Sequence, residues 1–234
     1  MIIVNLSVQR TGTKSISHFF SKAGFKALAW REQNSALWDI HAINKRYDKI
    51  VNSELFKQNE IFSDTPFWDL GLAKYIHNNI EDVFFVYLKR NKKDWFRSMA
   101  THSKGMTFDD IRVHNYYYRR EDDLEFLKSI GLKPKSLYIL DNFTHYTEWY
   151  EQNHIRVLEF FKNISDDKKY FGCLDDKNIW NEMVKKFNLS MPDQNNNQSH
   201  THQTSEQKKL DTMMFHSQLE NFFGGQKIIE RNYD

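Results

Sequence analysis

The sequence predicts a three-layer α/β fold built on a mainly parallel sheet, and three observations carry that expectation. Short apolar runs alternate with amphipathic helical stretches along the chain. The run Val83-Phe84-Phe85-Val86-Tyr87-Leu88 is continuously apolar and bounded by charges, as a strand buried on both faces requires. A polar turn at 7–12 joins an apolar run to an amphipathic helix, so strand, loop and helix follow in the order such folds repeat.

Taken in order, residues 2–6 read as a short buried strand and residues 13–23 as a helix. Ile16, Phe19 and Phe20 share one face of that helix, and Gly24 stops it. Residues 25–29 read as a second strand. Residues 35–57 read as helical with a break near 47–49. Residues 61–63 form a very short strand that runs into Asp64-Thr65-Pro66, where Pro66 is placed to open a helix over 67–78. The strand 83–88 leads to a helix over 91–102. Two long helical stretches follow, 108–130 and 141–162. A late strand at 170–174, a helix at 178–187, a polar loop at 192–205 and a last helix at 206–223, ended by Gly224-Gly225, complete the chain.

Composition narrows the function classes. A length of 234 residues fits one domain, and 40% hydrophobic content supplies a sizeable core. Lys and Arg total 33 against 31 Asp and Glu, a net charge of +2, which argues against a nucleic-acid partner. Positive charge for an anionic ligand must therefore be local. The single cysteine, Cys173, excludes an intramolecular disulfide and a multi-cysteine zinc site, and fits a cytoplasmic protein. The brief apolar start lacks a charged leader and a long apolar run, so neither a signal peptide nor a membrane anchor is expected. His200 and His202 lie in a polar loop without a third ligand, and no metal is expected.

The most informative segment is Ser7-Val8-Gln9-Arg10-Thr11-Gly12-Thr13-Lys14-Ser15. Backbone amides at a strand-to-helix turn can point at an anion, and the helix N-terminus adds partial positive charge. Gly12 permits close backbone approach. Thr13 and Ser15 offer hydroxyls, and Arg10 and Lys14 offer charge. A nucleotide-hydrolysing loop needs G-x-x-x-x-G-K-[ST]. Here Ser7 replaces the first glycine, Thr13 follows Gly12, and the strand 83–88 ends in Lys89-Arg90 rather than an acid. ATP or GTP hydrolysis is disfavoured; phosphate binding is not. The competing reading is a plain corner with an exposed arginine.

A second basic segment runs from Arg90 through Asn91, Lys92, Lys93, Asp94, Trp95, Phe96 and Arg97 to Ser98. It begins at the carboxyl end of the central strand, where ligands of α/β folds bind. Arg90 and Ser98 can grip a second phosphate with a guanidinium fork and a hydroxyl. Trp95 is expected in the core. The cluster Tyr116-Tyr117-Tyr118 either faces a substrate or packs on the sheet, with at least one ring structural.

These segments together resemble the sulfotransferases that use 3′-phosphoadenosine-5′-phosphosulfate (PAPS). Arg10-Thr11-Gly12-Thr13-Lys14-Ser15 resembles the family's 5′-phosphosulfate loop. Arg90 through Ser98 resembles its 3′-phosphate motif, with matching spacing from Arg to Ser. Phe62-Ser63-Asp64-Thr65-Pro66 resembles the segment that carries the catalytic base, in the bacterial-type branch whose base segment reads D-x-P. The likeness covers roughly residues 2–102. Gln9 stands where proline is usual and Ser15 where some members carry an adenine-stacking tryptophan.

The resemblance implies a P-loop NTPase-like fold and sulfuryl transfer from PAPS to a hydroxyl or amine, leaving 3′-phosphoadenosine-5′-phosphate without a metal. It implies one domain over 1–234, with a cofactor core at 1–105, a substrate-facing helical region at 106–190 and a polar loop and helix at 191–234. Arg10 and Asp64 would be catalytic. Arg10, Thr11, Gly12, Thr13, Lys14 and Ser15 would hold the 5′ end, and Arg90 and Ser98 the 3′-phosphate. Asp64 remains either the base or the N-cap of the helix after Pro66, and Lys14 either a ligand or a solvated cation. The partner is expected to be a small-molecule or glycan acceptor. The alternatives are a nucleotide-kinase-like enzyme and a non-catalytic nucleotide-binding relative.

Overall fold

The computed structural model describes residues 1–28, 30–103, 111–118 and 143–190. Four strands, β1 (Ile2–Asn5), β2 (Ile61–Phe62), β3 (Val83–Lys89) and β4 (Lys169–Cys173), form one all-parallel sheet in the order β2-β1-β3-β4. The chain passes from β1 to β2 on one side and then to β3 on the other. β1 and β3 therefore flank the point where the connections reverse, the position at which such sheets bind ligands.

Side-chain alternation distributes the two faces. Val4, Phe62, Phe85 and Tyr87 enter one core cluster, with Phe160 and Phe161. Ile3, Ile61, Val86 and Leu88 enter the opposite cluster, with Ile16, Phe19, Phe20 and Met183. Both faces of β1 and β3 are covered, which explains why these strands read as unbroken apolar runs. A third, largely aromatic cluster joins Val8, Trp68, Trp95, Tyr118, Trp149 and Tyr150, with Met99 and Phe96 among its other members.

Helix α1 (Thr13–Lys22) buries Ile16, Phe19 and Phe20 on one face, at the spacing read from the sequence. It ends on Gly24 at φ 95. The Phe25 amide donates to Phe20 O (3.1 Å) and the Gly24 amide to Ser21 O (3.1 Å), and the Phe20 and Phe25 rings meet edge to face. That is a complete Schellman closure.

Three expectations are corrected. The expected strand over 25–29 is not formed by its described residues, 25–28; a single parallel bridge joins Ala27 to Ile61, and β1 has β2 and β3 as its partners. The stretch read as helical over 35–57 with a break near 47–49 starts earlier and is broken at other places: residues 30–57 form four short helices, α2 (Trp30–Ser35), α3 (Trp38–Ile43), α4 (Tyr47–Val51) and α5 (Glu54–Lys57). Leu37 and Lys45 take left-handed conformations between them, and Ser53 caps the last by accepting the Phe56 amide. The breaks let Trp38, Ala42, Ile50 and Phe56 reach one core cluster, where a straight rod would carry its ends away. Finally, Pro66 does not open a helix. Helix α6 (Leu70–Asn79) starts later, because Asp69 caps it by accepting the Leu72 amide (2.9 Å).

Helix α7 (Lys92–Ser103) follows β3, with Asn91 Oδ1 accepting the Lys93 amide. Helices α8 (Ile111–Tyr118), α9 (Phe143–Phe161) and α10 (Ile179–Phe187) complete the described elements. The remainder of the expected 108–130 helix, the 192–205 loop and the 206–223 helix lie outside the described residues. None of the described helices is long and apolar enough to cross a membrane.

Candidate functional site

The loops leaving β1, β2 and β3 meet at the carboxyl edge of the sheet. The first is held from below. Ser7 Oγ accepts the Leu88 amide (2.7 Å), which ties the loop to β3. Trp95, buried as expected, donates its indole N–H to Gln9 O (3.0 Å). Gln9 Nε2 donates to the Tyr118 hydroxyl. The Thr11 hydroxyl turns inward to Val8 O, leaving Thr11 fully buried. Gly12 sits at φ 85 as the residue before α1 and provides no side-chain cap. The first-turn amides of α1 have no intrahelical acceptor by geometry, so they remain available to an anion. Leu174 closes over Gly12: a Cβ there would stand 2.8 Å from Leu174 Cδ1.

Beneath the second loop lies a buried polar platform. Asn5 Nδ2 donates to Ser63 Oγ (2.8 Å), and Ser63 Oγ donates to Thr13 O (3.1 Å). Asn5 Oδ1 accepts the Ser7 amide (3.0 Å), and Gln33 Nε2 donates to Ser63 O (3.1 Å). On this platform Asp64 adopts φ 74, a conformation that a non-glycine residue holds only when its surroundings fix it. Asp64 Oδ1 accepts the Thr65 amide (3.0 Å), and Oδ2 accepts the Thr13 hydroxyl (3.4 Å). The N-cap reading of Asp64 is thereby removed, since Asp69 caps α6. Burial pushes the Asp64 pKa up, opposed by those hydrogen bonds and by the charges of Lys14 and Arg10.

The third loop places Arg90. Its amide donates to the Tyr150 hydroxyl (2.8 Å), which donates in turn to Arg90 O (3.1 Å). The backbone is thus pinned from both sides while Arg90 Nε is buried without an acceptor. Arg10, also left-handed at φ 69, reaches across and donates Nε to Ser98 Oγ (3.1 Å). Burial lowers the Arg10 pKa, and the charge of Arg90 lowers it further, partly offset by Asp64. Arg10 and Arg90 are thus two half-buried guanidinium groups whose charges act on one another, a concentration of positive charge suited to an anion.

The structure therefore brings Arg10, Gly12, Thr13, Asp64, Arg90 and Ser98 to one edge. Ser15 is half-buried at the start of α1. Lys14 is exposed, yet close enough for its charge to act on Asp64. The basic group after β3 is smaller than the sequence suggests, because Lys89 pairs with Glu151 (3.2 Å). Tyr117 and Tyr118 are buried and Tyr116 is half-buried, so the tyrosine cluster is mainly structural. Among the described residues, no group of three His, Cys, Asp or Glu side chains is placed to hold a metal; His200 and His202 lie outside them. Sequence reading missed Asn5, Gln33, Tyr150 and Leu174. Asn5 alone carried a signal, since a polar side chain in a buried strand must find a partner.

The family model described as "Sulfotransferase domain" matches residues 2–203. No curated protein matches the chain.

Proposed function

The chain belongs to the sulfotransferase-domain family, and from that premise we propose that it moves a sulfuryl group from PAPS to a hydroxyl or amine acceptor. The observation that carries the proposal is the Arg10–Ser98 contact, which joins the two anion-binding segments into one site. A donor with phosphates at both ends of a nucleoside can engage both segments at once. The orphaned Arg90 Nε and the first-turn amides of α1 supply the donors such a ligand uses.

When bound, the donor supplies the sulfuryl group, which passes to the acceptor oxygen or nitrogen and leaves adenosine 3′,5′-bisphosphate. The chain contributes position, charge and a proton acceptor. The amides of Thr13, Lys14 and Ser15 face the 5′ side, whereas Thr11 turns both its amide and its hydroxyl to Val8 O and shapes the loop instead. Arg10 stabilises the charge left on the 5′ oxygen; one preorganised donor of this kind is worth about 3 kcal/mol. Arg90 and Ser98 hold the 3′-phosphate.

Asp64 takes the acceptor's proton on the carboxylate that Thr65 and Thr13 orient. Its raised pKa makes the ionised form a stronger base. Small-molecule or glycan acceptors and a cytoplasmic location fit the same reading, as does the division into cofactor core, substrate-facing helices and C-terminal segment.

Thermal shift with adenosine 3′,5′-bisphosphate against ATP plus magnesium tests the proposal. Selective stabilisation by the bisphosphate is expected, followed by turnover of labelled PAPS in an acceptor screen. Preference for ATP with magnesium would instead favour a kinase-like enzyme. Bisphosphate binding without transfer to any acceptor would favour a non-catalytic relative.

A further inference from the structure

Ser63 stands one residue before Asp64, is 5% exposed, and has its hydroxyl engaged on both sides. It accepts Asn5 Nδ2 (2.8 Å) and donates its proton to Thr13 O (3.1 Å), at the start of α1. The direction of this chain is fixed. The Ser7 amide can only donate, so the Asn5 atom that meets it is Oδ1 (3.0 Å), and Nδ2 is left to face Ser63. An amide N–H pointed at the Ser63 oxygen commits the Ser63 proton to Thr13. Asn5 is 0% exposed, so both of its bonds form away from solvent.

The chain also closes into a ring. The Thr13 hydroxyl returns to the base segment by donating to Asp64 Oδ2 (3.4 Å), and Asp64 is covalently next to Ser63. Among the described residues, these two bonds of Thr13 are the side-chain hydrogen bonds that join residues 63–66 to the loop 7–15. The loop has further anchors of its own. Ser7 Oγ holds the Leu88 amide, Trp95 holds Gln9 O, and Ser17 Oγ donates to Thr13 O (3.2 Å). Asp64 has fewer: Ser63 O accepts Gln33 Nε2 (3.1 Å), and Asp64 O accepts the Phe67 amide (2.8 Å). Loss of the Ser63 hydroxyl therefore frees Asp64 more than it frees the loop.

We propose that Ser63, its hydroxyl turned by Asn5, is a positioning residue of the transfer reaction that holds the Asp64 carboxylate in register with the first turn of α1. The inference rests on the sulfuryl-transfer reading. There the first-turn amides hold the donor and Asp64 takes the acceptor's proton, so the span from Thr13 to Asp64 sets the line on which acceptor meets sulfuryl group. Ser63 acts through Asp64 rather than on the reacting atoms.

The test takes two measurements on the full chain: calorimetric Kd for adenosine 3′,5′-bisphosphate, and steady-state transfer from labelled PAPS to the acceptor that the screen identifies. In Ser63→Ala, kcat should fall by about tenfold to a hundredfold, the loss that slight misplacement of a reacting group causes. The bisphosphate Kd and the KM for PAPS should stay at the parent values. Ser63→Thr keeps the hydroxyl and should restore most of the lost kcat. A merely structural role would lower binding and turnover together. Should a Ser63 variant fail to bind the bisphosphate, Gln33→Met takes its place, because it removes the donor to Ser63 O without touching the loop 7–15, and the same split is expected. Unchanged kcat in the variant so tested, a Kd that weakens in step with kcat, or a binding-competent Ser63→Thr no faster than Ser63→Ala would overturn the proposal. A parent chain that binds no bisphosphate, or transfers to no acceptor, would instead overturn the sulfuryl-transfer reading and this inference with it.

Discussion

Arg10 Nε donates to Ser98 Oγ at 3.1 Å, across 88 residues of sequence, and so fastens the loop after β1 to the helix after β3. The contact fixes the relative position of two basic segments that the strand order alone only brings to the same edge. It also holds a charged donor close to Arg90: burial, and after it the Arg90 charge, lowers the Arg10 pKa, with Asp64 opposing both.

Ser98→Ala should therefore weaken adenosine 3′,5′-bisphosphate by more than the hydroxyl's own contact. A hydrogen bond to a charged group is worth about 1.5–3 kcal/mol, or roughly tenfold to a hundredfold in Kd. Ser98→Thr keeps the hydroxyl and should recover most of that loss. Calorimetry on both variants checks it; an unchanged Kd for Ser98→Ala would remove the coupling.

Arg90→Ala should separate the two ends of the ligand. Tyr150 holds the Arg90 backbone through both its N–H and its C=O, so the chain path survives the substitution. Affinity for adenosine 3′,5′-bisphosphate should fall by about tenfold or more, with little change for adenosine 5′-monophosphate, which lacks the 3′ group. Arg90→Lys should restore little, because a point charge cannot replace the planar fork. Equal losses for both nucleotides would place Arg90 elsewhere in the site.

Much of this arrangement was legible in the sequence because it rests on local chemistry. The apolar run 83–88, the Ile16-Phe19-Phe20 stripe and Gly24 each announce an element from their own residues. The loop after β1 and the Arg90–Ser98 spacing were legible for the same reason. The polar platform was not, because Asn5, Gln33 and Ser63 are far apart in sequence and meet only through sheet order. Nor was the start of α6: Pro66 and Asp69 both carry helix-start chemistry, and the Leu72 amide bond to Asp69 decides between them. The short helices of 30–57 bend at Leu37 and Lys45, residue types that give no local notice of a left-handed turn.

Asp64→Asn should abolish turnover while raising stability at neutral pH. Burial raises the folded-state pKa of Asp64 above its unfolded value. The folded chain then holds this proton to higher pH than the unfolded chain does. The group's favourable contribution is full below the unfolded pKa and is lost as pH rises through the folded pKa. Asn keeps Oδ1 as acceptor for the Thr65 amide, and its Nδ2, standing where Oδ2 was, can donate to the Thr13 hydroxyl, all without the buried charge. Thermal midpoints of the two proteins should converge toward acid and separate toward neutral pH. A variant less stable than the parent at pH 7 would mean that Arg10 and Lys14 more than offset the cost of burial.

Gly12→Ala should act through two separable causes. Gly12 lies at φ 85 and ψ 20, a left-handed conformation that costs an L-residue about 1–2 kcal/mol. The added Cβ would also stand 2.8 Å from Leu174 Cδ1, and Leu174 is held in place by its amide bond to Lys89 O (2.7 Å). Leu174→Ala removes the overlap but leaves the backbone cost. In a double-mutant cycle the pair should be less destabilising than the sum of the single variants, with a residual near the conformational cost alone. Additive effects would mean that Leu174 moves aside freely and does not press on the loop. Bisphosphate affinity should track the same cycle, because a shifted Gly12 redirects the first-turn amides of α1 away from the anion they are placed to meet.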